Sequence, residues 1–376
     1  MTENAESSVE LVGACHMLLG RMAGRLPDEL VTEARWWLAE GELVAIAQAV
    51  VFAALTNGTS VTTADAAVLE EILSAAGADV SPLADLVRSD LEPVPAYGVA
   101  PVGPDVLAQE GPDLPYTLDL SEGDGLGAGD PLDAAAVRAV RRLADEAPLV
   151  GLWRAWRYPA MDTSWPPPRR VYLVQADGPV SALPVAVARI QDALVEAGER
   201  EPQVEGFVDP DEASAYQRAA LGFSALLWAP GPAGEIIFAR VFDSLDAQQG
   251  PRFDDAHPRL DDDAERARVL TYLRDGVPLL ISATLSVDVC EPAMGEVVPT
   301  AFYTDGTWIW PEAVAYYLER HGLAPEPELL AAIRAADHVV PRVDAVALHR
   351  ALAALYAVDE DEPLPADTTD EVQQRV

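Results

Sequence analysis

The sequence predicts an α+β protein with an N-terminal helical bundle, a Pro/Gly-rich linker and a C-terminal domain of antiparallel strands with helices on one face. Three observations predict this class. The first domain, 1–92, repeats apolar residues at the spacing of amphipathic helices. The next segment, 93–131, is rich in Pro, Gly and Asp without periodicity, which is typical of a linker or an extended segment lying over a neighbour. In 132–358, short strand-like runs alternate with helical patterns. The last residues, 359–376, are expected to form a disordered acidic tail.

The N-terminal segment is expected to form five helices. The clearest start is Thr62, a candidate N-cap with Asp65 three residues later, and Gly77 is expected to end that helix. In the C-terminal segment, LVGLWRAWRYP and RRVYLVQAD are predicted strands around a stiff turn at Trp165 to Pro168. We also expect FSALLWAPGPAGEIIFARVFD to form two strands around a Gly/Pro turn, and VPLLISATLSVDV to form one strand.

A β-hairpin is predicted around Asp305-Gly306, because Asp-Gly between apolar runs favours a two-residue turn. With that loop, Tyr303 lies opposite Trp308, Ala301 opposite Trp310, and Phe302 opposite Ile309. Both faces then hold large apolar groups, so we expect the hairpin to be covered on both sides. Pro311 suits the first position of the next helix, and Gly322 suits its end.

Charge is the most unusual global property of the 376-residue chain. The net charge is −37, from 62 acidic residues against 25 basic ones, and every basic residue is arginine. Such a field repels phosphate backbones and anionic lipids, so we expect no nucleic-acid and no membrane partner, and a basic protein partner is favoured. A GC-rich genome or adaptation to high salt would produce the same acidity.

The cellular location can be predicted from the lack of membrane-spanning and secretory signals in the sequence. No apolar run reaches the about 18 residues that a membrane helix needs. The first ten residues, MTENAESSVE, are acidic and polar, unlike a secretory signal. We therefore expect a cytoplasmic protein.

Residues that bind metals or catalyse reactions form no recognisable motif. The two cysteines, Cys15 and Cys290, are far apart among apolar neighbours and are expected to be buried and inert. The five histidines show no metal-ligand spacing. No nucleotide-binding or nucleophile-elbow motif is present. We expect no metal, no cofactor and no catalytic set.

A cluster of arginines and aromatics on the two predicted strands is the best candidate binding surface, as an anion pocket or a protein interface. The alternative is a strand pair whose arginines are tied to nearby aspartates. Together with the hairpin tryptophans, the candidate binding residues are Trp153, Arg154, Trp156, Arg157, Trp165, Arg169, Trp308 and Trp310.

Two stretches, LPDELVTEARWWLAEGELVAIAQAVVFAAL and TDGTWIWPEAVAYYLERHGLAPEPELLAAI, resemble uncharacterised proteins of high-GC Gram-positive bacteria. The second is similar to proteins encoded near polymorphic toxins and specialised secretion genes. The resemblance covers about a third of the chain and implies an immunity or accessory protein.

The leading hypothesis is a cytoplasmic, non-enzymatic protein-binding module, an immunity or accessory factor that engages a basic partner. An enzyme is the first alternative, a hydrolase using Asp or Glu with His257 or His321 at a site between the helical and α+β domains. A scaffold or secretion adaptor is the second.

Overall fold

The computed structural model describes residues 2–93, 96–111, 114–122, 129–159, 167–246 and 250–357. The chain belongs to the α+β class, as predicted. It divides into two compact units, Met1–Pro232 and Ala233–Val376. The division falls within the predicted C-terminal domain, and the predicted boundaries at 92 and 131 stay predictions. The predicted acidic tail, 359–376, lies outside the described residues. No described helix is long and apolar enough to cross a bilayer.

The first unit begins with four helices and a short 3-10 turn at Ser81–Asp85, where five helices were expected. Its helices are α1 Thr2–Met22, α2 Asp28–Glu40, α3 Leu43–Asn57, α4 Thr63–Ala75, α5 Pro104–Glu110, α6 Pro131–Ala144, α7 Leu183–Glu196 and α8 Ala215–Gly222. The predicted cap of α4 is present. Thr62 accepts from the Asp65 amide, and Asp65 accepts from Thr62 in return.

The strands of the first unit are β1 Val61–Thr62, β2 Arg88–Ser89, β3 Gly98–Ala100, β4 Leu118–Asp119, β5 Leu149–Tyr158, β6 Arg169–Ala176, β7 Gln203–Phe207 and β8 Ala225–Trp228. The main sheet has the order β4-β8-β5-β6-β7, with β3 beside the end of β5. The pairs β4/β8 and β6/β7 are parallel, and β5 is antiparallel to its neighbours. Strands β3 and β4 come from the predicted linker, so part of that segment is built into the sheet.

Helices cover both faces of this sheet, which corrects the expectation of one covered face. On one face, Leu152, Tyr172 and Val204 pack in the core under α6 and α7. The opposite face of the same strands presents Trp153 and Leu173, which are fully buried. Helix α8 packs against β5 and β6, and α2 packs against β7 and α7. Because β5 and β6 are apolar on both sides, both sides require a cover.

The second unit contains β9 Ile237–Phe238, β10 Ser244–Asp246, β11 Gly250–Arg252, α9 Asp263–Asp275, β12 Val277–Leu280, β13 Leu285–Val287, β14 Glu296–Pro299, β15 Phe302–Thr304, β16 Trp308–Pro311, α10 Ala313–His321, α11 Pro327–Ala335 and α12 Ala345–Tyr356. One sheet has the order β12-β15-β16-β9, and β13 forms a two-stranded ribbon with β14. The two strands predicted in FSALLWAPGPAGEIIFARVFD are present as β8 and β9, whereas the prediction of a single strand in VPLLISATLSVDV is wrong. Strand β9 pairs with β16 and not with β8, and VPLLISATLSVDV breaks into β12 and β13, which lie in different sheets.

The predicted hairpin exists, but its register is wrong by two residues. Tyr303 pairs with Trp310, and Thr304 pairs with Ile309, so the last pair encloses the four residues from Asp305 to Trp308. The cause is Asp305, whose Oδ1 accepts from the amides of Thr307 at 2.9 Å and Trp308 at 2.7 Å and closes a wider turn.

A shift of two residues leaves each side chain on its expected face. Trp310 faces the core formed with α9 and α10, while Phe302 and Ile309 face Ala351 and Leu355 of α12. The prediction that both faces are covered is therefore confirmed.

Of the two predictions for the ends of α10, the one for its start is wrong and the one for its end is confirmed. Pro311 ends β16 instead of starting α10, because the Glu312 amide still donates to the Ala301 carbonyl of the neighbouring strand. Gly322 caps α10 in the left-handed conformation, φ 68°, as expected.

Candidate functional site

Arg154, one of the predicted binding residues, is an internal cation. Its guanidinium donates to Asp133 Oδ2 at 2.6 Å and to the Pro101 carbonyl at 2.7 Å. Tyr172 donates to the other Asp133 oxygen at 2.7 Å. Burial raises the pKa of Asp133, and the positive charge of Arg154 opposes that rise. The group links β5, β6 and α6.

Arg157 lies on the opposite face of β5 and is also buried. It donates to Asp28 Oδ1 at 3.0 Å and Oδ2 at 2.5 Å, and to the Tyr216 hydroxyl at 3.3 Å. Its guanidinium carbon lies 4.6 Å from the centroid of the Tyr97 ring. The charge of Arg157 is therefore compensated within the fold by a two-pronged ion pair.

The arginines at the start of β6 are tied to carboxylates as well. Arg169 donates to Glu201, and Arg170 donates to both oxygens of Asp130, at 3.0 and 2.7 Å. Arg170 also lies over the ring of Trp156, 4.8 Å from its centroid. These pairs support the alternative that the strand arginines are tied to nearby acids. A binding role for the cluster stays a prediction.

The predicted tryptophans fall into different units. Trp153 is in the first, whereas Trp308 and Trp310 are in the second. All three are buried, and Trp310 Nε1 donates to the Leu273 carbonyl at 3.1 Å. Trp165 lies outside the described residues. The buried rings contribute to packing and leave little aromatic surface for a partner.

A polar pair that sequence reasoning missed lies between β7 and α2. Arg35 donates to Glu205 Oε2 at 2.5 Å, and Gln217 donates to the same oxygen at 3.1 Å. All three side chains are buried. Burial raises the pKa of Glu205, while Arg35 opposes that rise. Neither residue belongs to a motif, and their separation of 170 residues gave no signal.

Most acidic side chains lie on the surface. Among the described residues, the buried acids are Asp65, Asp133, Glu205, Asp288 and Asp305. Arginines such as Arg35, Arg154 and Arg157 are drawn into the interior. Among the described residues the buried acids outnumber the three buried arginines, and most charged side chains of either sign are at least partly exposed to solvent.

The β13–β14 ribbon and its flanking turns expose apolar side chains. The exposed fractions are 80% for Ile281, 45% for Leu285, 46% for Val287 and 42% for Met294. In the described part of the sheet, β13 pairs with β14 alone, so its second edge is open. Exposed apolar groups at an open strand edge are typical of a surface that pairs with another chain.

Two histidines form structural contacts. His16 is buried, and its Nε2 lies 2.9 Å from the Gly206 carbonyl oxygen. His257 uses both ring nitrogens, Nδ1 with Asp243 at 2.9 Å and Nε2 with the Ala324 carbonyl at 3.0 Å. A hydrolase that used His257 would first have to release Nε2 from the Ala324 carbonyl, whereas the bond between Nδ1 and Asp243 is of the kind that orients a catalytic imidazole.

Residues just after β13 form a compact group with α10. His321 Nε2 lies 2.7 Å from Asp288 Oδ2, and the Tyr316 hydroxyl donates to that oxygen at 2.9 Å. Ligand atoms of Asp288, Cys290 and His321 all lie within 4.8 Å of one another. Cys290 is exposed, so the prediction that it is buried is wrong. Its place in a turn after β13 keeps the thiol at the surface.

The electrostatics of this group disfavour a free thiolate. Burial and the charge of Asp288 raise the pKa of the Cys290 thiol, whereas nucleophilic cysteines have a lowered pKa. Burial opposes the charge of Asp288, but hydrogen bonds from His321, Tyr316 and two backbone amides outweigh it and lower the pKa of Asp288. The only signal in the sequence was the close spacing of Asp288 and Cys290.

No protein-family model, no curated protein and no solved structure matches the chain. The resemblance to proteins of high-GC Gram-positive bacteria therefore stays a prediction.

Proposed function

We propose that the chain is a cytoplasmic, non-enzymatic protein-binding module that engages a basic partner protein through the β13–β14 ribbon. The observation that carries this proposal is the exposure of Leu285 and Val287 on an open-edged strand of a chain with net charge −37.

The ribbon supplies two kinds of interaction. The free edge of β13 offers backbone amides and carbonyls to an incoming extended segment, as in other strand-addition complexes. Leu285 and Val287 are two residues apart on one strand, so both can contact apolar side chains on one face of that segment.

The negative charge on and near the ribbon favours a basic partner. Exposed carboxylates on or beside the ribbon include Glu291 and Glu296, and the basic residue near Glu291, Arg320, is paired with it at 3.4 Å. An extended segment with alternating apolar and basic residues would complement both features. The negative field would also raise the association rate at low ionic strength.

The biological setting of this proposal rests on the sequence resemblance. A partner that is a basic toxin would make the chain an immunity factor, and a secretion component would make it an accessory protein. The predicted division into a helical bundle, a linker and an α+β domain belongs to the same proposal.

The experiment is an affinity capture from native cell extract with three baits. They are the unmodified protein, the double variant Leu285→Ser/Val287→Ser, and Phe52→Ser, which removes an exposed apolar side chain in the other unit. The proposal expects a basic protein that the first and third baits retain at low ionic strength. It also expects the double variant to lose this protein. Equal capture by all three baits, or no capture, would overturn the proposal.

A further inference from the structure

We infer that Asp288, Cys290 and His321 form a binding site for one divalent transition metal ion, for which Zn²⁺ is the best match. The inference does not depend on a protein partner, so it goes beyond the proposed function. It rests on the ligand types, their mutual distances and the contacts that hold them in place.

The ligand set selects the metal. A carboxylate, a thiolate and an imidazole are the three side chains that bind Zn²⁺ most often, at about 2.0–2.3 Å. Ions such as Mg²⁺ and Ca²⁺ bind oxygen ligands and would not coordinate the sulfur of Cys290 or the nitrogen of His321. Three protein ligands in a tetrahedral zinc site leave one position for water.

The distances fit a shared ion. The candidate ligand atoms lie within 4.8 Å of one another, so an ion placed among them can reach all three after small side-chain rotations. His321 Nε2 and Asp288 Oδ2, 2.7 Å apart, now share a hydrogen bond. On binding, the ion takes the place of the proton between those two atoms. A neutral ring moves that proton to Nδ1 by exchange with solvent, and a protonated ring releases it to solvent, so that neutral imidazole binds the ion through Nε2. The Cys290 thiol loses its proton to solvent as the sulfur–metal bond forms.

The group is held in place by contacts that a metal site needs. Asp288 Oδ1 accepts from the backbone amides of Cys290 at 2.8 Å and Glu291 at 3.1 Å, which leaves Oδ2 turned towards His321. Tyr316 donates to Oδ2, and the His321 ring stacks on Tyr317, 5.9 Å between centroids. Outer contacts of this kind orient ligands and strengthen metal binding.

The site is open enough for an ion to enter. Asp288 lies fully buried at the bottom of the site. Cys290 is exposed, and the His321 side chain retains 16% of its accessible surface. A bare pair of Asp288 and His321 would explain the contact between those two side chains. It would not explain why the thiol of Cys290 lies beside them.

The test is a titration of the chelator-treated full-length protein with Zn²⁺ by calorimetry and with Co²⁺ by absorption spectroscopy. We expect one ion per chain and a thiolate-to-cobalt charge-transfer band. Cys290→Ser should abolish that band and weaken Zn²⁺ binding by at least about tenfold. His321→Gln should weaken Zn²⁺ binding to a similar degree.

Glu291→Gln is the matched control, because it removes a neighbouring exposed carboxylate that is not a proposed ligand. It should bind Zn²⁺ as the unmodified protein does. Circular dichroism of each variant checks that the fold is retained. Absence of binding, an unchanged cobalt spectrum in Cys290→Ser, or equal losses in Glu291→Gln would overturn the inference. None of these results depends on whether a basic partner exists.

Discussion

Arg157 on β5 holds both carboxylate oxygens of Asp28, the first residue of α2, across 129 residues of sequence. The pair is almost entirely buried, with 3% and 14% of the two side chains accessible. It connects the N-terminal helices to the central sheet and explains why an arginine in an apolar strand need not be a binding residue.

Replacing Arg157 with Met should lower the free energy of unfolding by about 2–3 kcal/mol, because the change leaves the Asp28 carboxylate with only the more distant Arg169, 3.7 Å away. Urea denaturation monitored by circular dichroism measures the change. Arg189→Met is the control, since Arg189 pairs with Glu146 at the surface, where 51% of the arginine side chain is accessible. That variant should change the free energy by less than about 1 kcal/mol. Equal effects would contradict a structural role for Arg157.

His16 should make stability depend on pH. Burial, helped by the nearby charge of Arg35, lowers the pKa of His16 from 6.5 to about 4 in the folded protein. Below pH 6.5, His16 therefore binds a proton in the unfolded chain, whereas it stays neutral in the folded chain. The His16 contribution to the free energy of unfolding is complete above that pH and falls by about 3 kcal/mol as the pH drops to about 4.

The comparison that isolates this effect uses His16→Gln, which keeps a donor for the Gly206 carbonyl but cannot titrate. Urea midpoints between pH 4 and pH 7 should fall more steeply for the unmodified protein than for the variant. Parallel curves would contradict the assignment to His16, whatever the absolute stability of the variant.

Asp305 should be the most sensitive residue of the hairpin loop. One oxygen accepts from the amides of Thr307 and Trp308, and the other accepts from the Tyr272 hydroxyl at 2.6 Å. Asp305→Ala leaves the Trp308 amide and the Tyr272 hydroxyl, both in buried residues, unpaired and should cost about 2–3 kcal/mol, measured by thermal or urea unfolding. Asp305→Asn keeps an acceptor for the amides and should cost less. An alanine variant as stable as the asparagine variant would show that the turn does not depend on these bonds.

Gly276 should not tolerate even a methyl group. A Cβ there would clash with the ring of Trp310, which is fully buried and packed on all sides. Gly276→Ala should therefore cost about 1–3 kcal/mol of unfolding free energy. Gly222 is the matched control, because a Cβ on it would meet nothing within 4 Å. If both variants unfold at the same urea concentration, the tight contact with Trp310 is wrong.

The sequence could predict structure where the signal was local. The Thr62–Asp65 cap, the Gly322 helix end and the covered hairpin follow from short-range patterns, and all three are present. The hairpin register failed because the Asp305 side chain, not the Asp-Gly backbone preference, sets the loop length.

The failures elsewhere share a cause in long-range contacts. Nothing near β9 indicates that it pairs with β16, about 70 residues later. Similarly, the Asp288–Cys290–His321 group depends on α10 packing beside the ribbon, and the spacing of its members matches no short motif. The arginines of β5 and β6 were visible in the sequence, but their acidic partners were not.

Binding of a basic partner to the β13–β14 ribbon is tested by measuring the affinity of the captured partner for the purified protein across a range of ionic strength. We expect the affinity to fall steadily as salt rises, and we expect Leu285→Ser/Val287→Ser to weaken binding by at least about tenfold at every salt concentration. Phe52→Ser should match the unmodified protein. An affinity that changes neither with the salt concentration nor in the Leu285→Ser/Val287→Ser variant would contradict binding of a basic partner at the ribbon.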